Sequence, residues 1–182
     1  MKKYFFCLIF FVFFLKFLYL DENLTKINKL FIKLQTTNFD KALEIEQKIW
    51  KFWSTHPTNE KLTIRLNEGS ELVKSQRLEE AIEVFTELIS IDQYWAEAWN
   101  KRATVFYLMG EFQKSQNDID RVLELEDRHF GALAGQGLVN IQLKNYEKAI
   151  RSYEKAQKIY PLMKSPKIMI KQIKKLIKKQ TI

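Results

Sequence analysis

Apolar and small residues recur at an interval of 34 along the chain, in three segments that superimpose as 62–95, 96–129 and 130–163. Counted from the first residue of each segment, position 8 is Gly69, Ala103 and Gly137, and position 20 is Ala81, Ser115 and Ala149. Position 17 is Leu78, Phe112 and Tyr146, and position 24 is Phe85, Ile119 and Tyr153. Leu88, Val122 and Ala156 share position 27, and Ile91, Leu125 and Ile159 share position 30. Small side chains at fixed places let two helices approach, and large apolar ones fill the space between them. The pattern predicts two helices per segment joined by a short turn, and such a hairpin cannot bury its apolar face alone. Neighbouring hairpins must therefore stack into one continuous core.

A weaker fourth copy precedes these at 23–56, with Leu30, Phe39, Ala42 and Ile49 at positions 8, 17, 20 and 27. Residues 57–61, from Pro57 to Lys61, interrupt the register and read as a linker. After the last copy, residues 164–182 form a basic segment in which Pro166 opens a helix running to about Gln180. Met169, Ile173, Leu176 and Ile177 share one face of it, as expected of a cap over the open side of the last hairpin.

Residues 1–22 break the pattern. Lys2 and Lys3 precede the unbroken apolar run Tyr4 to Leu15, and Lys16, Phe17 to Leu20 and the acids Asp21 and Glu22 follow. A basic start before an apolar run of this length is the mark of a secretory signal. No small-x-small triplet stands before Asp21, so an uncleaved anchor through residues 4–20 remains the alternative to a cleaved signal. Either way the expectation is export, to the periplasm or to the periplasm-facing side of an inner membrane. Cys7 lies inside this run, which leaves the rest of the chain without a thiol for a disulfide, a metal or a nucleophile.

Charge sharpens the picture only when divided along the chain. The formal net charge is +8, but residues 1–20 carry three lysines and residues 164–182 seven, with no acid in either. Between them, 20 basic side chains face 22 acidic ones, so the repeats carry no basic surface for nucleic acid. With 46% hydrophobic residues, five glycines and three prolines, the composition suits a folded helical chain and not a many-turned β-architecture.

The three segments resemble tetratricopeptide repeats. Trp99, Ala103, Phe106, Gly110, Phe112 and Ser115 fall on that signature in the middle copy, and Leu133, Gly137, Tyr146, Ala149, Tyr153, Ala156 and Pro161 in the last. The runs 49–53, 99–110 and 128–133 are similar to small exported tetratricopeptide proteins of alphaproteobacteria. The resemblance implies an all-α, right-handed superhelical stack of hairpins with a C-terminal capping helix, the first helix of each hairpin lining a concave groove. It brings no activity with it.

Catalytic and cofactor motifs are missing. There is no Gly-rich loop ending in Gly-Lys-Ser/Thr, no GxGxxG and no HExxH. His56 before Pro57 and His129 at the end of the second repeat read as solvated residues at helix ends. Glu126 and His129 form one Glu-x-x-His, whereas a di-metal bundle site needs two such pairs. Asp118 and Asp120 point to opposite sides of one helix and cannot share a proton. No enzyme activity, metal or cofactor is expected.

The resemblance places a protein or peptide partner against Leu66, Ser70, Val73, Asn100, Lys101, Thr104, Tyr107, Ala134, Leu138 and Ile141. Tyr107 is the largest of these and the expected anchor, and Glu97 belongs to the same row. The positions where co-chaperones of this fold grip a C-terminal carboxylate hold Leu66, Ser70, Lys101, Gly131 and Gly135, so that clamp is absent. Gly131 and Gly135 leave room for a partner backbone or loosen their helix. Trp50 and Trp53 form an aromatic patch or pack into the core. The leading reading is an interaction module of the cell envelope. The alternative is a membrane-tethered spacer that uses residues 4–20 and the basic C-terminal helix.

Overall fold

A computed structural model describes residues 24–180, so the expected signal or anchor at 1–22 lies outside the described residues. Among the described residues there are nine helices and no strand. They divide into two compact units, residues 1–52 and residues 53–182. In the first unit lie α1, residues 24–36, and most of α2, Phe39–Ser54. Ile27, Phe31 and Leu34 are buried at helical spacing on α1, and Ala42, Ile45 and Ile49 on α2. Phe39, expected at a packing position, is 39% exposed. The Asn38 side chain caps α2, accepting from the Lys41 N–H at 3.1 Å.

The second unit holds α3 Glu60–Lys74, α4 Leu78–Ile91, α5 Ala96–Leu108, α6 Phe112–Leu125, α7 Phe130–Gln142, α8 Tyr146–Ile159 and α9 Lys164–Gln180. The core of this unit runs through three hairpins and α9, and residues 24–52 form a body of their own. The linker is also shorter than the 57–61 expected. Glu60 and Lys61 belong to α3 because the Asn59 carboxamide accepts from the Lys61 N–H at 3.1 Å and starts the helix early. No described helix is long and apolar enough to cross a membrane.

The turns repeat as faithfully as the helices. The first helix of each hairpin (A helices α3, α5, α7) ends with one residue at positive φ: Gln76 at 60°, Gly110 at 77° and Lys144 at 60°. Around it the N–H groups of Arg77, Glu111 and Asn145 reach back five residues, to Leu72, Phe106 and Asn140, which satisfies carbonyls the helix end would leave bare. The return turns also match, with Trp95, His129 and Met163 donating to Asp92, Glu126 and Tyr160.

Within a hairpin the two helices meet at position 8. A Cβ on Gly69 would sit 2.6 Å from the Phe85 ring, and one on Gly137 would sit 2.5 Å from the Tyr153 ring. Phe85 and Tyr153 are themselves buried, so neither ring has room to retreat. Gly135 is different, since a Cβ there would touch Ile119 Cδ1 at an ordinary 3.6 Å. Gly137→Ala should therefore lower stability by about 1–3 kcal/mol through overpacking. Gly135→Ala should raise it by up to about 1 kcal/mol through helix propensity. Denaturant melts of the two variants, read for opposite signs of change, check this.

The α9 helix continues the register. It starts 34 residues after Phe130, and its Ile173 is fully buried where Val139 and Val105 are fully buried one and two repeats earlier. Ile173 packs with Ala149, Ile150 and Tyr153, with Met169, Ile170 and Ile177 around it. It begins at Lys164, two residues before Pro166, and Pro166 sits buried inside its first turn. At position 8 of α9 stands Lys171, exposed where the hairpins need Gly or Ala. A lysine there does not admit a second helix packed as in the hairpins, and among the described residues α9 stands as a single A helix.

Candidate interaction face

The A helices neighbour one another, α5 touching α3 on one side and α7 on the other. Equivalent positions on the three helices therefore form a strip across the second unit. Of the ten residues expected to line it, all but Leu66 are half-buried or exposed. Thr104 and Leu138 are exposed, the latter at 37%. Asn67, Leu108 and Gln142, exposed at neighbouring positions, extend the strip.

Leu66 does not line it. Its side chain is 1% exposed and packs with Leu62, Ala81, Phe85 and Ala98 in the core between α3, α4 and α5. At position 5 the other repeats carry Asn100 and Ala134, and a leucine there gains more by turning into the core than by facing solvent. Val73 packs on the same cluster, and Ala134 and Ile141 rest on the cluster of Tyr153 and Ile173. Tyr107 is half-buried and packs on the cluster of Ala103, Ile119 and Val139, its ring 5.6 Å from that of Phe112. Its hydroxyl stays at the surface, where it accepts from Gln142 Nε2 of α7 at 3.5 Å.

Glu97, read from the sequence as a groove residue, is buried at 1% exposure. Its Oε2 accepts from His129 Nε2 and Asn100 Nδ2 at 3.1 Å each, and Lys101 Nζ forms an ion pair with Oε1 at 3.2 Å. Burial pushes this carboxyl upward, but the His129 hydrogen bond and the Lys101 charge outweigh it and hold it below the ordinary range. His129 is wholly buried, not solvated. Its Nδ1 accepts from the Ala132 N–H at 3.0 Å, capping α7, so the ring proton sits on Nε2 and is donated to Glu97. Trp53 stacks on the ring at 3.8 Å and 10°.

His56 repeats the arrangement at the start of α3. Nδ1 accepts from the Thr58 and Asn59 N–H groups, and Nε2–H donates to Asp92 at 3.1 Å. It too is buried, with Trp95 edge-on at 5.0 Å. Both histidines, expected to be solvated at helix ends, are buried there against an acid, His129 capping α7 and His56 holding the turn before α3. Trp53 is a core residue at 6% exposure whose carbonyl accepts from Trp95 Nε1 at 2.8 Å. Trp50 is half-buried, its Nε1 donating to Glu46 at 3.4 Å.

A second polar link joins successive hairpins. Arg102 on α5 forks onto Asp118 of α6 with two 2.8 Å bonds and reaches Thr86 of α4 at 3.0 Å. One repeat later Gln136 donates to Asp120 of α6 at 3.2 Å and accepts from Ser152 of α8 at 2.8 Å. Asp118 and Asp120 thus serve different partners, in keeping with their opposite directions. The described residues hold no group of three metal-ligating side chains.

Comparison with known proteins agrees with this architecture. Tetratricopeptide repeat models match residues 62–94 and 100–163, together more than half of the chain. A TPR repeat-containing protein of Rhizobium etli is 31% identical over 122 residues, 67% of this chain and 59% of that protein. Hsp70-Hsp90 organizing protein 1 of Glycine max is 29% identical over 93 residues, 51% of this chain and 16% of that protein. The chain therefore spans less than two thirds of either relative. Among solved structures, the first TPR of Spaghetti (RPAP3) bound to an HSP90 peptide superimposes with a TM-score of 0.63 at 19% identity, covering 65% of this chain and 94% of that one. The Yersinia enterocolitica chaperone SycD, in complex with a peptide of the translocator YopD, gives 0.60 at 15% identity, with 64% and 95% covered. With three hairpins in register at a period of 34 and a fourth A helix closing the stack, the chain belongs to the tetratricopeptide repeat family.

Proposed function

We propose that the second unit is a non-catalytic module that holds a protein or peptide partner along its A-helix strip, and that it works in the cell envelope. The observation that carries this is the strip itself: Ser70, Asn100, Lys101, Thr104 and Leu138 stay accessible on three adjacent A helices. The lining is small, mostly neutral and partly apolar, which suits a helix or an extended chain. Solved relatives of this fold hold peptides of HSP90 and of a secreted translocator, which supports a peptide-sized partner. The envelope setting rests on the basic, apolar start of the sequence.

The co-chaperone type of carboxylate grip is not part of this proposal. Lys101 is the one cation at the five clamp positions, and the buried Glu97 carboxylate engages it at 3.2 Å.

The test is a pair of charge insertions on the strip. Thr104→Glu and Leu138→Glu should each weaken partner recovery from envelope extracts at least tenfold, about 1.4 kcal/mol, with the helical spectrum unchanged because both side chains are exposed. Asn117→Glu on the exposed part of α6 is the control and should leave recovery intact. Wild-type recovery by both strip variants would place the interface elsewhere.

A further inference from the structure

Position 24 of the repeat holds two rings in the same kind of place. Phe85 lies against Gly69 and Tyr153 against Gly137, and they are 0% and 1% exposed. Phe85 shows that a plain phenyl ring satisfies this position, so the Tyr153 hydroxyl is not required for packing. That hydroxyl is buried too, and among the described residues it meets no hydrogen-bond partner. A polar group in this condition has given up water and gained nothing in return. Burial pushes the phenol above its ordinary value, so at neutral pH it stays protonated and remains a donor.

The ring carries its hydroxyl towards the A-helix strip. It leaves α8 and passes α7 tip first, since a Cβ on Gly137 would stand 2.5 Å from Cζ and 2.9 Å from Cδ2. Ala134 and Ile141 of α7 and Met169 of α9 pack on the cluster that holds Tyr153, and all three are half-buried. Leu138 on α7 and Ile168 on the neighbouring α9 are exposed, and Ile168 repeats the register of Ala134. The α7 helix is also thin on this face. A Cβ on Gly135, beside Ala134, would meet only Ile119 Cδ1 at an ordinary 3.6 Å, so packing does not demand the glycine. Gly135 and the Tyr153 hydroxyl thus each cost the free fold stability without a return inside it.

We propose that the seam between α7 and α9 is the specificity-determining part of the strip, where an extended peptide lays an apolar side chain between Leu138 and Ile168 and a backbone carbonyl accepts a hydrogen bond from Tyr153. The inference rests on the strip being the partner's seat. The small residues of α7 let a backbone come close, and the buried donor supplies what that backbone needs. The acceptor is a neutral carbonyl and not a carboxylate, because the floor of the seam is apolar and would strip an unpaired charge of its water. Met169, unbranched and half-buried, is the side chain that swings aside to admit it.

The experiment uses the full chain in a non-ionic detergent. A synthetic library of short acetylated, amidated peptides is screened on the wild-type protein, and binders that Leu138→Glu rejects are kept. Backbone amides of one such peptide are then replaced by esters one at a time, which weakens each carbonyl as an acceptor. Ile168→Glu should reject the same peptide. Tyr153→Phe should melt no lower than wild type and bind the peptide roughly three- to tenfold more weakly. One ester position should weaken binding to wild type by a similar factor and leave binding to Tyr153→Phe unchanged. Wild-type affinity in Tyr153→Phe overturns the inference while the strip reading stands. A lower melting temperature in Tyr153→Phe also overturns it, since the hydroxyl then has a partner inside the fold. A screen that yields no peptide rejected by Leu138→Glu overturns both.

Discussion

Replacing His129 with alanine should destabilise the second unit by about 3–5 kcal/mol, because it removes a hydrogen-bond donor from a buried carboxylate and leaves that charge under-compensated. Glu97 is 1% exposed and loses one of its two hydrogen-bond donors, keeping Asn100 and the Lys101 ion pair. The same change removes the cap on the Ala132 N–H and the surface on which Trp53 stacks. A double-mutant cycle should trace the size of the loss to the buried carboxylate. Glu97→Leu combined with His129→Phe should be much less damaging than His129→Ala alone, since no charge remains to be compensated. The pair also sets an acid limit. Because the folded-state carboxyl lies below its ordinary value near 4.5, its contribution is complete above that value and is lost as pH falls through it towards the lowered one. Melting temperatures from pH 7 to pH 3 should drop more steeply below about pH 4.5 for wild type than for Glu97→Gln.

Deleting residues 164–182 should have an effect of similar size. The α9 helix buries Ile173 completely and covers Ile150, Tyr153 and Ala149 together with Met169, Ile170 and Ile177. At about 1.5–3 kcal/mol for a fully buried apolar side chain and less for the half-buried ones, the loss is of order 5 kcal/mol. That rivals the net stability of an ordinary domain, so the truncated protein should lose its cooperative melt or aggregate on warming. Lys171→Ala with Lys174→Ala in the intact chain should shift stability by no more than about 0.5 kcal/mol, since both are exposed. Unchanged melting of the truncated chain would mean that α9 is no cap.

Packing was legible from the sequence because it is periodic. Gly69 and Gly137 announce themselves by recurring at the same repeat position, two periods apart, against Phe85 and Tyr153, and the structure places those rings against them. The polar links are not periodic, and this is why they were missed. Glu97 stands where the other repeats have Thr63 and Gly131, and His129 stands where they have Trp95 and Met163. A contact formed by one residue from each of two different repeats leaves no echo along the chain. Arg102 is a half-way case: its position recurs as Glu68 and Gln136, always polar, yet only the fold reveals the partners. The strip suffered from the same blind spot in reverse. Register correctly grouped position 5, but Leu66 differs from Asn100 and Ala134 in the one property, hydrophobicity, that decides whether the residue turns inward.

The central proposal is that a partner lies along the A helices, and site-specific photo-crosslinking tests it most directly. A benzophenone amino acid is placed at Thr104 or Leu138 on the strip, and at Asn117 or Glu124 on exposed positions of α6, in full-length protein expressed with its own N-terminus. The account predicts one discrete adduct, shared by the two strip positions and absent from both α6 positions. In protein that also carries Leu138→Glu, the adduct from position 104 should disappear. An adduct formed from the α6 positions while both strip positions stay silent would contradict it.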